Sequence, residues 1–329
     1  MSLSTRQIVN AVTLGRKISE AKSRDLELLL ENDPANLEYR LIVCSYYWSR
    51  GSIKAKYVLS KHSLWLIEHM PEDRATCDPV FFIDKYLCPE PFEAGRRLWD
   101  SHLTNRLSPG IVKNAYRYFR IHEPEHSLSI LQSGLRAFPG DRALCSALLD
   151  EYLYRLRHKS RMDGDSVFDL AIDMRRRLVE LSGSVNPYQE IKMAVQAVDL
   201  RRYSEAQKHA DCVLESIDNS DHYQARFVHS AHTVLGLCAL QNSDLPGAVK
   251  HLESSIKLAV FDEPPNFSPC LHLAGDLLLL RQVEPVVTFL HGCARIQPKM
   301  SMKILIWVVQ IRFGKRSFPV WNKYEICSY

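Results

Sequence analysis

At 329 residues, with 46% apolar and 24% charged side chains, the chain suits two globular domains or one elongated array, and its composition is not that of a disordered segment. Its 13 glycines and 16 prolines allow few tight turns, which argues against an all-β fold, and its longest apolar run, Ile304 to Ile311, falls far short of a membrane span. The formal net charge of +4 is uneven: from Lys299 onward six cations face Glu325 alone, so the end of the chain is basic and the body nearly neutral.

The first seventeen residues mix polar and apolar side chains and lack a cleavage-type site, so no secretory signal is expected. Nine cysteines without a C-x-x-C pair then fit reduced thiols and a cytoplasmic setting. From there helical periodicity runs along the chain. Leu37 to Gly51 and Tyr57 to Pro71 read as a helix pair, and a proline-punctuated connector, Pro79 to Pro91, leads to a helix over Phe92 to Leu103. Ser108 to Asp141 is a hairpin whose second helix opens at Pro124. Ala143 to Leu156 and Ser166 to Gly183 form the next pair, joined by the polar HKSRMDGD.

Three more hairpins follow over Pro187 to Ile217, His232 to Ala259 and Ser268 to Pro298. In the second of these, QNSDLPG breaks the pattern. Ser243 or Asp244 can cap the helix that follows, and Pro246 falls in its first turn, where a missing N–H costs nothing. Lys303 to Arg312 is apolar all round, as a buried terminal helix would be.

The hairpins share a ruler of small residues. Ala115 and Ser127, Ala194 and Ala206, and Gly236 and Ala248 are each twelve apart, and seven further on stand Gly134, Val213 and Ser255. Small side chains at such places let helices approach and interdigitate. In the last hairpin Gly275 and Ala294 fit this ruler, whereas Val287 and His291 stand where an alanine and a bulky apolar residue belong, and Pro298 comes one position early.

With these spacings, and with RRYSEA at the turn after Ala194, the chain resembles tetratricopeptide-repeat proteins, arrays of helical hairpins about 34 residues long. Ala115, Ser127, Leu131, Gly134 and Pro139 match the family pattern throughout. LWLIEHMPE and FGKRSFPVWN also resemble segments of bacterial repeat proteins, which implies no activity. The expected fold is all-α, an irregular α-solenoid of about seven stacked hairpins wound as a right-handed superhelix. Its expected parts are divergent hairpins over 1–77, repeats over 78–186, the family-like repeats over 187–301, and a capping helix with a basic aromatic tail over 302–329, all as one solenoid.

The search for chemistry finds no nucleotide-type glycine loop, HExxH, GxSxG or zinc-type cysteine array. His229 and His232 lie three apart on one helix but have no third ligand at a supporting spacing, so an ordinary repeat helix is expected there and no metal. DGDS, Asp163 to Ser166, lacks the later ligands of a calcium loop and reads as a capped loop. The basic stretch around Arg155 to Arg161 and Arg175 to Arg177 is expected to be a solvated face with i,i+4 pairs from Asp173 to Arg177 and Arg176 to Glu180.

What the resemblance implies is a non-catalytic scaffold, without cofactor, that holds a peptide or partner protein in a groove lined by first helices. Carried to matching positions, the groove residues are Tyr116, Phe119, Arg120, Asp150, Tyr154, Asp199, Gln241, His272 and Asp276, with Leu240 beside them. Their aromatics and carboxylates suit a basic or amide-rich polypeptide. The alternative partner is nucleic acid, gripped by Arg312, Lys315, Arg316 and Lys323, which alternate with aromatics in the tail. The competing reading of the tail is a cap over the last hairpin. A helical-repeat enzyme is the third possibility.

Overall fold

The computed structural model describes residues 3–158, 164–217, 225–257, 269–296 and 301–314. It is all-α: the described residues form sixteen α-helices, two short 3-10 segments and no strand. Cα packing divides the chain into two compact units, Met1–Leu148 and Leu149–Tyr329. No helix among the described residues is long and apolar enough to cross a membrane.

The first unit holds α1 (Thr5–Gly15), α2 (Glu20–Asn32), α3 (Leu37–Arg50), α4 (Ile53–His69), α5 (Pro89–Asn105), α6 (Pro109–Phe119) and α7 (Pro124–Ala137). Their starts are chemically marked. Ser4, Ser19, Asn36, Ser52 and Ser108 each accept a first-turn amide, and Ser4 completes a capping box with Gln7. Pro89, Pro109 and Pro124 each open a helix, where the amide they lack would have had no partner. α1 and α2 pack on α3, and from α3 to α7 each helix packs on the next. The connector is folded rather than loose: 3-10 turns at Arg74–Cys77 and Pro79–Phe81 bury Ala75, Val80 and Phe81 against α3 and α4. Asn114 of α6 pins it, donating to the carbonyls of Pro71 and Asp73 at 2.9 Å.

α8 (Arg142–His158) begins at the end of the first unit and carries into the second. The second unit continues with α9 (Gly164–Ser182), α10 (Pro187–Asp199), α11 (Tyr203–Ser216), α12 (Ala225–Gln241), α13 (Leu245–Lys257), α14 (His272–Leu279), α15 (Val283–Ile296) and α16 (Ser301–Arg312). α10/α11, α12/α13 and α14/α15 are packed hairpins. First helices α10, α12 and α14 neighbour one another in order, and second helices α13 and α15 do the same. This two-layer stacking of successive hairpins is the tetratricopeptide-like, α-solenoid arrangement.

The small residues sit where helices touch. Val112 of α6 crowds Gly134 of α7 so closely that a Cβ there would overlap its methyl groups, and Leu273 of α14 does the same to Gly236 of α12. Ala194, Ala206 and Ala248 are fully buried. Ser127 is also buried, and its hydroxyl donates to the carbonyl of Tyr116 at 3.1 Å.

The turns inside the hairpins α10/α11, α12/α13 and α14/α15 share one geometry. Arg201, Ser243 and Arg281 each adopt a left-handed conformation, with φ of 61°, 59° and 62°. In each, the left-handed residue donates to the carbonyl three back, Val198, Leu240 or Leu278, and the next residue donates five back, to Ala197, Ala239 or Leu277. This is the doubly bonded helix stop that satisfies orphan carbonyls. Asp244 then caps α13, accepting the Gly247 amide at 2.9 Å.

These turns correct the register of the last hairpin. Ala194 and Gly236 each stand seven residues before their left-handed residue, and the residue seven before Arg281 is Ala274, fully buried, whereas Gly275 is half-buried. Shifted by one, Val286, Leu290 and Cys293 take the buried places on α15 and His291 is exposed. Counted from Arg281, Pro298 falls at the same offset that Pro139 has from His122.

α16 also differs from expectation. Ile304, Trp307, Val308 and Ile311 are buried and the helix packs on α15, but Met302, Leu305, Ile306 and Val309 are exposed. Among the described helices its packing partner is α15, so being apolar all round does not bury the face turned away from α15.

Candidate protein-binding face

The nine groove residues read from the sequence separate by burial. Phe119 has no exposed surface, and Tyr116 is 5% exposed. Phe119 lies edge-on to Phe92, Tyr118 and His126 inside the first unit. The reason is local: α6 is an eleven-residue helix packed by α5, α7 and the connector's 3-10 turn, so its aromatic residues are core. Arg120 is half-buried at the end of α6, with its guanidinium 5.8 Å from the Tyr116 ring. Neither aromatic offers surface to a partner.

The other six lie on α8, α10, α12 and α14 and retain surface. Tyr154, Asp199 and Gln241 are exposed, and Asp150, His272 and Asp276 are half-buried. The Tyr154 ring lies 4.4 Å from that of His158, one turn further along α8, tilted at 42° to it. His272 reaches Asp276 at 3.8 Å. Asp199 and Gln241 hold equivalent places, each two residues before a left-handed turn residue.

The structure adds residues that the periodicity did not single out. Lys192 of α10 pairs with Asp150 of α8 at 3.5 Å and lies 3.9 Å over the ring of Tyr188. Tyr188 in turn meets Phe227 of α12 edge-on at 6.5 Å, and Arg226 lies 4.9 Å from the Phe227 ring. Acid, base and aromatic groups thus run continuously across α8, α10 and α12. A cation over an aromatic face and a carboxylate against it fix one another's orientation. Tyr188 and Phe227 are both half-buried.

Beneath this surface the charged groups are committed to structure. Glu190 is 1% exposed and accepts hydrogen bonds from Arg175 of α9 at 2.6 Å and His209 of α11 at 2.7 Å. Burial pushes the Glu190 carboxyl up, but these donors outweigh it and hold it below the usual range. Arg175 is therefore a tie between helices and not part of a solvated run, while Arg176 bonds Asp173 at 3.0 Å on the surface. Arg155 and Glu151 form a buried pair at 2.8 Å. Arg202 binds Asp169 at 2.6 Å and Glu205 at 3.2 Å, tying α9 to the α10–α11 turn.

Burial pushes Cys77 up to about 12 and Cys238 up to about 11, and raises Cys44 and Cys293 as well. His229 and His232 take different hydrogen-bond partners. Its Nδ1 donates to the carbonyl of Ser255 at 3.0 Å and its Nε2 accepts the Cys270 amide at 2.9 Å, while His232 turns to His251 of α13.

Of the tail cations, Arg312 lies 3.9 Å from Glu284, and Lys315, Arg316 and Lys323 lie outside the described residues. In the DGDS stretch Asp163 also lies outside them, and Asp165 stands in the first turn of α9. Among the described residues no group of three His, Cys, Asp or Glu could hold a metal ion.

No protein-family model matches the chain, and no curated protein does. Among solved structures it is similar to the human IFIT1 dimer with PPP-AAAA, at a TM-score of 0.46 and 14% identity over 89% of this chain and 68% of that one. It is also similar to the APC/C hetero-tetramer Cut9-Hcn1, at a TM-score of 0.37 and 18% identity over 93% of this chain and 54% of that one.

Proposed function

We propose that the chain is a non-catalytic scaffold that binds polypeptide across the first helices of its second unit. The observation that carries this reading is the line Asp150–Lys192–Tyr188–Phe227, which spans α8, α10 and α12 with groups already oriented by one another. Pre-oriented aromatics with a polar surround lose little entropy on binding and serve as anchors. Tyr154, Asp199, Gln241, His272 and Asp276 extend the same set of helices. The carboxylates of Asp150, Asp199 and Asp276 favour a basic or amide-rich stretch in the partner. The committed state of Glu190, His229 and the raised thiols supports a binding role over a catalytic one.

The test is fluorescence polarisation with labelled peptides of graded charge. Basic peptides should bind more tightly than acidic ones, and the pair Tyr154→Ala with Asp199→Lys should weaken them at least tenfold. An unaffected double variant, or equal affinity for acidic peptides, counts against the proposal. Binding of a single-stranded oligonucleotide that is lost on truncation after Gly314 would instead favour the tail reading. Six phosphate contacts give a log-affinity against log-salt slope of about −4.

A further inference from the structure

His232 of α12 and His251 of α13 face each other nitrogen to nitrogen, with their Nδ1 atoms 3.1 Å apart and their rings inclined at 41°. The two helices are the packed arms of one hairpin, so the pair sits on rigid elements. Both imidazoles are half-buried and reachable from solvent. As an imidazole pair, the contact is one hydrogen bond: one ring donates its Nδ1 proton and the other accepts.

The same spacing is that of two ligands on one metal ion. With metal–nitrogen bonds of about 2.0–2.1 Å, a separation near 3 Å corresponds to a ligand–metal–ligand angle of about 100°, between square-planar and tetrahedral. The geometry points to His232 and His251 as a two-imidazole chelate for a borderline divalent transition-metal ion of the nickel, copper or zinc type. The ion takes the place of the shared proton. The ring that donated it shifts to the Nε2–H tautomer, both Nδ1 lone pairs bind the ion, and no proton leaves the protein. Water completes the coordination shell.

Three features favour this. The two Nδ1 atoms already face one another from two packed helices, so little ordering is needed when an ion binds. The carboxylates of Asp211 and Asp244 reach His251 with their charge and offset the cation Lys250. Imidazole nitrogen is the ligand that copper, nickel and zinc share. His229, bonded at both ring nitrogens, remains outside the site.

The test is calorimetric titration of the whole chain with Ni2+, with the Cu2+ electron paramagnetic resonance spectrum as a second readout. One Ni2+ should bind per chain. Affinity should fall at least tenfold in His232→Gln and again in His251→Gln, and hold in His158→Gln, a histidine of α8 outside the site. The Cu2+ spectrum of the unaltered chain should show coupling to two imidazole nitrogens, a result that does not depend on any variant folding. Ni2+ affinity unchanged in both glutamine variants, coupling to a single nitrogen, or no binding at millimolar Ni2+ overturns the proposal.

Discussion

Leu273 of α14 lies over Gly236 of α12 so closely that its methyl group occupies the place a Cβ on Gly236 would take. Two successive first helices therefore meet here with the Leu273 side chain seated directly on the α12 backbone. Gly236→Ala should lower stability by about 1–3 kcal/mol, the usual range for overpacking, and Gly236→Leu by more. Gly140→Ala is the control, because nothing lies within 4 Å of its Cβ position. Equal melting temperatures for Gly236→Ala and Gly140→Ala would refute the packing assignment.

Arg201, Ser243 and Arg281 hold left-handed backbone with a side chain present. That conformation costs a non-glycine residue about 1–2 kcal/mol, part of which glycine's extra unfolded-state freedom offsets. Each of Arg201→Gly, Ser243→Gly and Arg281→Gly should therefore raise stability, by about 0.5–1 kcal/mol. All three side chains are exposed, so little else changes. Thermal melts of the single variants decide it, and a drop in all three would mean that these turns are not held as described.

The same turns explain what the sequence could and could not reveal. Spacing between small residues located α6/α7, α10/α11 and α12/α13, because Gly134, Ala194 and Gly236 are small for a packing reason. It misread α14 by one residue, because Ala274 and Gly275 are both small and only the backbone at Arg281 says which one is buried. Burial was harder still. Phe119 and Tyr154 each occur on a repeat helix, and nothing in their spacing tells that Phe119 is covered on several sides while Tyr154 is exposed. Lys192 was passed over because an isolated lysine carries no pattern; its meaning comes from Asp150 and Tyr188 on either side.

Glu190 ties three helices through Arg175 and His209. Removing one member of such a buried set leaves the others uncompensated, so Glu190→Ala should cost about 3–5 kcal/mol. Glu190→Gln keeps the shape and an acceptor but loses the charge, and should cost less. Equilibrium urea unfolding of the two variants checks the order, and equal losses would mean that the carboxylate's charge contributes nothing beyond its shape.

Acid should weaken the second unit well before its carboxylates titrate. Burial holds His229 down to about 4, against about 6.5 in an unfolded chain. Between those values the unfolded chain binds a proton that the folded one refuses, so stability falls as pH falls through the window. By pH 4 this single group accounts for a loss on the order of 3 kcal/mol. His232, held down to about 4, acts in the same direction, more weakly for being partly exposed. Glu190, whose carboxyl lies below the usual range, contributes stability above its unfolded value that is lost only as pH falls further, through its folded value. The decisive comparison is the pH dependence of unfolding in His229→Gln. Glutamine can donate toward the Ser255 carbonyl but does not titrate, so this variant should be less stable at pH 7 and should lose less between pH 6.5 and 4. Parallel profiles for the two proteins would show that the buried imidazole does not set the acid limb.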